Sequence, residues 1–302
     1  MGGGAWSDLT SQRTSTTRST QTRAQVFQNT TIDPGMKLDA MTIRESRDSA
    51  EHPNSHAIIV AFDETGSMGE IPEYFAKTAL GALMRELLSK QPVPDPQLLV
   101  CGVGDSTGDA SPFQPGQFES DNRVDEWLTK IHLEGNGQGG GHESYGLVHH
   151  FAGTRTSIDC FEKRQEKGML FTIGDEKPHP IMYASEIKSV FGETEASDLT
   201  IEAAIASAQR LYDVFHIVVK SQSYSPEMSL PTWKKLLPER VLRLDDYQAL
   251  PELIMTTIGR IRGMSLAAAT AGFSAKTTEM VLASGVQHLQ PSAGASGGVA
   301  RI

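Results

Sequence analysis

From His56 to Phe62 (HAIIVAF) the chain runs apolar and β-branched without polar alternation. Such a run predicts a strand buried on both faces, at the centre of a mostly parallel sheet. After the polar turn Asp63-Glu-Thr-Gly-Ser-Met-Gly69 the period changes. Phe75, Ala79, Leu83 and Leu87, widened by Leu80, Met84 and Leu88, form the stripe of a helix. Pro72 fits its first turn, and Pro92, Pro94 and Pro96 stop it. The alternation then repeats. Gln97 to Val103 reads as a strand, with a short antiparallel edge strand expected near Gly116 to Glu119. Val124, Trp127, Leu128 and Ile131 mark a helix started by Asp121, and Glu143 to Phe151 a further one. Gly168 to Ile173 is another buried strand, and Ile201, Ala204, Ile205, Ala208 and Leu211 define an amphipathic helix. Strands at Val214 to Lys220 and Arg240 to Leu244 precede a closing helix from Tyr247 to Arg262. This order predicts a doubly wound α/β fold: a mostly parallel central sheet, helices on both faces and one antiparallel edge strand.

The pattern fades at both ends. Thr10 to Thr31 is crowded with Ser, Thr and Gln, and its only charges are Arg13, Arg18 and Arg23. That composition offers little apolar area to offset chain entropy, so residues 1–51 read as a flexible or partner-ordered arm. Residues 52–263 read as the α/β domain. Residues 264–302 form an Ala/Ser/Gly-rich tail whose first part extends the last helix and whose end (PSAGASGGVARI) is expected to be disordered.

Composition narrows the function. The 302 residues carry a formal charge of −10, which argues against a nucleic-acid partner. Two cysteines, Cys101 and Cys160, make no disulfide framework, and no apolar run reaches the roughly 18 residues of a membrane span. The expectation is a cytoplasmic protein with no membrane association.

In an open α/β sheet, ligands bind beyond the carboxyl ends of the strands. Polar residues stand there at Asp63 to Ser67, at Asp105 and at Asp175-Glu176, and the glycine-rich loop from Glu134 to Ser144 can approach closely. Asp63, Thr65 and Ser67 alternate in a turn leaving a strand, so one carboxylate and two hydroxyls can converge. A hard divalent cation such as Mg²⁺ takes oxygen ligands in an octahedron and keeps several waters. Asp175 and Glu143 are placed to add oxygens from other loops.

Asp63-x-Thr65-x-Ser67, between a buried strand and a helix, resembles the metal-ion-dependent adhesion site (MIDAS) of von Willebrand factor A domains. That motif is Asp-x-Ser-x-Ser, followed later by a Thr and an Asp. Thr65 replaces the first Ser and keeps its hydroxyl, and Asp175 matches the final Asp. The middle Thr is absent. GGGHES stands in its place, similar to relatives that use a Glu there, which gives the role to Glu143, with Ser144 as the fallback. The resemblance covers roughly Ser55 to Gly263. The Gly/Trp start and RESRDSAEHPNS are similar to bacterial and phage proteins carrying this domain.

The resemblance implies a binding module and no enzyme. It implies Mg²⁺ or Mn²⁺ at the top of the sheet and a protein partner whose acidic side chain completes the coordination shell. Bacterial relatives are often encoded beside MoxR-type AAA+ ATPases and act as adaptors, and intracellular ones mediate assembly. Asp63, Glu143 and Asp175 together would set three negative charges against two, so some of these acids are expected to act through water.

The alternative is a phosphatase or phosphotransferase of haloacid-dehalogenase type. Phe62-Asp-Glu-Thr-Gly-Ser67 resembles its first motif, with Asp63 as the Mg²⁺-assisted nucleophile. That family wants a second acid four residues after the Gly-Asp acid, where His179 stands, and no convincing lysine motif lies between. An aspartic-protease reading fails because Glu64 interrupts Asp-Thr-Gly. Gly102-x-Gly104 lacks the Lys of a phosphate loop. His142, His149 and His150 lack zinc-ligand spacing and read as helix-surface residues, while Cys101, Trp127 and Trp233 read as core.

Overall fold

Strand β1 (Ser55–Asp63) is buried along all nine residues, as its apolar run predicts. Its two faces feed two different cores. Ile58, Val60 and Phe62 pack with Leu83, Leu87, Leu253 and Ile258. Ala57, Ile59 and Ala61 pack on the other side with Leu147, Phe151, Ile205 and Ala208. The computed structural model that defines this arrangement describes residues 4–135 and 141–292.

Five further strands complete the sheet: β2 (Asp95–Val103), β3 (Phe113–Pro115), β4 (Gly168–Gly174), β5 (Tyr212–Val219) and β6 (Val241–Leu244). The order across it is β6-β5-β4-β1-β2-β3, parallel except for β3. This is the mixed α/β, doubly wound architecture that the alternation predicts. The chain winds outward from β1 in one direction, then returns to β4 and winds outward in the other. The crevice between β1 and β4 is therefore the topological switch point, where such sheets bind ligands.

The antiparallel strand forms earlier than expected. Phe113 packs edge-on against Phe151, with ring centroids 5.2 Å apart, and this anchors Phe113–Pro115 beside β2. Glu119 makes only a single bridge, to Leu98.

One core lies under a continuous helix over 71–90, α3 (Arg123–Thr129), α8 (Leu250–Ile261) and α9 (Ala275–Ala283), while α1 (Asp8–Ser19), with no buried residue, rests on the outside of the 71–90 helix. Within the continuous helix, Phe75–Ala79 form a wide π turn and α2 (Leu80–Lys90) follows. The other core lies under α4 (Tyr145–Thr154), α5 (Ala184–Phe191), α6 (Ile201–Gln209) and α7 (Leu230–Leu236). Cys101 and Trp233 are core residues, as expected, while Trp127 is only partly buried against the core.

The N-terminal segment differs from expectation. Residues 8–19 are helical, and Val26, Phe27 and Met36 enter the core. Polar side chains dock the helical part of the segment, which buries no residue of its own. Ser15 donates to the Lys77 carbonyl. Arg18 reaches the Ala76 carbonyl at 3.0 Å and Asp125 at 2.5 Å. Arg23 donates to the Gly69 carbonyl at 2.7 Å. Beyond α8, Val281, Val286 and Leu289 also join the core. The terminal stretch expected to be disordered lies outside the described residues from 293 onward.

The histidine expectation is corrected as well. His149 is fully buried and His150 nearly so, because every residue from Tyr145 to Gly153 is enclosed. His149 Nδ1 lies 2.8 Å from the Tyr145 carbonyl, and His150 pairs with Glu193. Among the described residues, no helix is long and apolar enough to cross a membrane.

Candidate metal centre

Asp63 is the last residue of β1, level with the end of β4, and has no solvent exposure. Leaving the strand, the chain folds back on the carboxylate. Asp63 Oδ1 accepts from the Thr65 N–H at 2.8 Å and from the Thr65 hydroxyl at 2.6 Å. Thr65 Oγ1 lies 3.2 Å from Ser67 Oγ, and the Ser67 hydroxyl donates to Asp175 Oδ1 at 3.0 Å. The three alternating oxygens and the distant Gly-Asp thus meet in one hydrogen-bonded chain across the switch point. Gly66 makes this path possible: a Cβ there would stand 2.9 Å from the Gly135 carbonyl oxygen.

Glu143 comes from a different loop. It does not begin a helix, as the pattern had predicted. His142–Glu143 instead pair in parallel with Lys177–Pro178, and α4 starts at Tyr145. The Ser144 N–H bonds the Gly104 carbonyl at 3.0 Å, which ties this segment to the end of β2. Glu143 is 3% exposed, and its Oε2 is buried without a partner. Ser144 points elsewhere. Its hydroxyl accepts from the Ser106 N–H at 2.9 Å and donates to Ser106 Oγ at 2.8 Å. Residues 136–140 of the glycine-rich loop lie outside the described residues.

The electrostatics of this corner are lopsided. Among the described residues, no ion pair involves Asp63, Glu64, Glu143, Asp175 or Glu176. Burial, then the charge of Asp175, pushes the Asp63 carboxyl up to about 8, against hydrogen bonds from Thr65 and Tyr145. Burial and the charges of Asp63, Glu176 and Asp105 raise Glu143 far above the carboxylate range. Asp175 is raised by burial and by Glu176, and its Oδ2 is a second buried oxygen without a partner. Buried carboxylates without counter-charge are costly unless a proton or a cation relieves them.

Such a donor set suits a hard cation: two hydroxyls 3.2 Å apart, two orphaned carboxylate oxygens, and neither sulfur nor imidazole in the chain of bonds. Among the described residues, no group of three or more His, Cys, Asp or Glu side chains is arranged to hold a metal ion. A cation here would need oxygens beyond these carboxylates, and the hydroxyls of Thr65 and Ser67 stand in the same chain of bonds.

Two contributors, Tyr145 and Gly174, escaped the sequence pattern. Tyr145, fully buried, donates from its hydroxyl to Asp63 Oδ2 at 3.0 Å. Gly174 lets it through, since a Cβ there would collide with the Tyr145 hydroxyl. Asp105, already singled out by its place beyond a strand end, has a turn of its own. Its segment Asp105-x-Thr107-Gly repeats Asp63-x-Thr65-Gly at the end of the neighbouring strand, and that repetition was the available signal. Asp105 accepts from the Thr107 N–H at 2.9 Å, from its hydroxyl at 2.6 Å and from His179 at 2.8 Å. Although burial works the other way, the bonds from Thr107 and His179 hold Asp105 below the usual carboxylate range. Glu64 turns away from the centre, with both oxygens 2.8 Å from the Gln114 amide nitrogen.

The phosphatase alternative is not favoured by this geometry. A nucleophilic Asp63 needs an accessible oxygen, and both of its oxygens are buried and engaged. His179, at the position of that family's second acid, is bonded to Asp105.

No protein-family model and no curated protein matches the chain. Solved structures do. The pilus adhesin SpaC from Lactobacillus rhamnosus GG aligns over 71% of this chain and 30% of its own, at 8% identity and a TM-score of 0.46. Proximal thread matrix protein 1 from the mussel byssus aligns over 71% and 48%, at 13% identity and 0.41. A von Willebrand factor type A protein from Catenulispora acidiphila aligns over 68% and 42%, at 14% identity and 0.35. The chain spans under half the length of each of these structures.

Proposed function

We propose that this protein is a divalent-metal-dependent protein–protein interaction module. Thr65, Ser67, Asp175 and Glu143 would hold Mg²⁺ or Mn²⁺ at the switch point, with Asp63 orienting the loop. The observation that carries this reading is the pair of buried, unpartnered oxygens, Asp175 Oδ2 and Glu143 Oε2, on carboxylates that no ion pair neutralises among the described residues. Bound there, the cation would supply a Lewis-acidic position for a carboxylate brought by a partner. The partner is a protein with an exposed Asp or Glu. Beside the site, a groove of about 290 Å³ between Met68, Ile71, Lys220, Ser221 and Tyr247 gives neighbouring residues of that partner a place to rest.

An adaptor working with an AAA+ ATPase, or an assembly component, is the cellular form of this role. The test is affinity purification of wild type and Asp63→Ala side by side, with Mg²⁺ and with EDTA. Partners lost in both Asp63→Ala and EDTA support the reading, and an ATPase among them supports the adaptor form. Partners retained in both conditions refute it.

A further inference from the structure

The Tyr145 hydroxyl reaches Asp63 through a passage made for it. Tyr145 opens α4, two residues after Glu143, so one short segment carries both side chains. The ring is fully buried. It stands edge-on to His216 at 5.2 Å and to Trp233 at 5.4 Å, while His216 and Trp233 stack at 3.6 Å. Each wall is itself anchored. His216 Nδ1 lies 2.8 Å from Thr172 Oγ1, and the Trp233 indole N–H donates to the Glu176 carbonyl at 3.0 Å. Strands β4 and β5 and helix α7 therefore fix where the phenol points. The absent side chain at Gly174 leaves the gap through which the hydroxyl meets Asp63.

The consequence lies in the Asp63 carboxylate. A carboxylate offers about four lone-pair sites on two oxygens. Thr65 takes two contacts on Oδ1, and Tyr145 takes one on Oδ2. A hydrogen bond from a rigidly held donor resists rotation of the acceptor toward another ligand.

We infer that Tyr145 is a positioning residue that holds Asp63 back from direct coordination, so that the bound cation keeps charge for a partner's carboxylate. This rests on the metal-binding reading proposed above and specifies how that site is tuned. With Asp63 restrained, fewer anionic oxygens touch the ion. That answers the surplus of Asp63, Glu143 and Asp175 over a double positive charge, because an ion fully neutralised by its own protein has little left with which to attract a fourth carboxylate. Removing the phenol hydroxyl frees Oδ2 to turn onto the ion.

The experiment is a double-mutant cycle with Mn²⁺ alone as the probe. Free Mn²⁺ is counted by electron paramagnetic resonance at neutral pH for wild type, Tyr145→Phe, Asp63→Asn and the double variant. Near-ultraviolet circular dichroism of each protein checks that the fold is kept. Tyr145→Phe is expected to bind Mn²⁺ about tenfold more tightly than wild type, whereas in the Asp63→Asn background the same change has no effect. A purely structural role would weaken binding in both backgrounds. Unchanged or weaker binding by folded Tyr145→Phe overturns the inference, as does equal tightening with Asp63 absent. If wild type itself binds no Mn²⁺, the metal-binding reading has failed, which is a separate result from a wild type that binds and a Tyr145→Phe that binds equally well.

Discussion

The backbone carbonyl of Gly135 lies 2.9 Å from the point where a Cβ on Gly66 would stand, so the Asp63 loop and the glycine-rich segment touch backbone to backbone. Real Cβ atoms do not approach a carbonyl oxygen that closely, and neither partner is a side chain that can swing away. Gly66→Ala must therefore push one loop off the other. Because Ser67 follows directly and bonds Asp175, the displacement falls on the proposed ligands. The expected result is a loss of Mg²⁺ affinity of about 10–100-fold, as for other supports of metal ligands. Calorimetric titration measures it, and the melting temperature in EDTA should stay near that of wild type.

Thr65 and Ser67 are expected to separate metal binding from folding. A cation that binds only the folded state adds about 2.7 kcal/mol at a concentration 100-fold above its dissociation constant. For a domain of this size that raises Tm by roughly 4–5 °C. Wild type should show this rise with Mg²⁺. Ser67→Ala should lose most of it, because the change removes one oxygen from the chain joining Thr65 to Asp175. Ser144→Ala should keep it, because the Ser144 hydroxyl is committed to Ser106. Differential scanning fluorimetry distinguishes the two variants directly.

Much of this was legible in the chain, and the parts that were not share a cause. Strand β1 announced itself because both of its faces are buried, and the Asp-x-Thr-x-Ser turn because it must follow such a strand. Asp63, Thr65, Ser67 and Asp175 come together because their positions depend on local turns at strand ends. Glu143 was placed in the right neighbourhood but in the wrong element, since its pairing with Pro178 is a contact between loops distant in sequence. Tyr145 was invisible for the same reason: an apolar-looking aromatic at a helix start gives no sign that its hydroxyl will meet a carboxylate 82 residues away. The N-terminal segment misled because its docking uses side-chain bonds to backbone carbonyls, which leave no apolar stripe.

Met36 tests whether that segment belongs to the domain. It has no solvent exposure and lies in the same core as Phe75 and Leu128. Truncating a buried methionine to alanine leaves a cavity and costs about 2–5 kcal/mol. Met36→Ala should lower the urea midpoint of the whole cooperative transition, followed by both tryptophan fluorescence and circular dichroism. A normal midpoint, or a separate early transition confined to the N-terminal residues, would show that the segment does not share the core's stability.

The pH dependence of stability follows from the same carboxylates, and its sign is opposite to that of an ordinary salt-bridged acid. Asp63 has its folded value near 8 against an ordinary 3.8. Between those limits the folded protein holds a proton that the unfolded chain has released. Stability changes with pH in proportion to protons bound unfolded minus protons bound folded, so in this window it falls as pH rises. Glu143 and Asp175 act in the same direction. At the acid end Asp48 opposes them. Despite some burial, hydrogen bonds from Arg164, Ser55 and Lys163 hold it below the usual range, so its contribution is present above about pH 4 and lost as pH falls further. Without divalent metal, the urea midpoint should therefore decline from about pH 5 to pH 8, and Asp63→Asn should flatten the decline. Added Mg²⁺ competes with the protons for the same oxygens, so its stabilising effect should grow across that range. A midpoint that rises with pH in EDTA, or a Mg²⁺ effect that shrinks as pH increases, would mean that these carboxylates are neither protonated in the free fold nor the place where the cation sits.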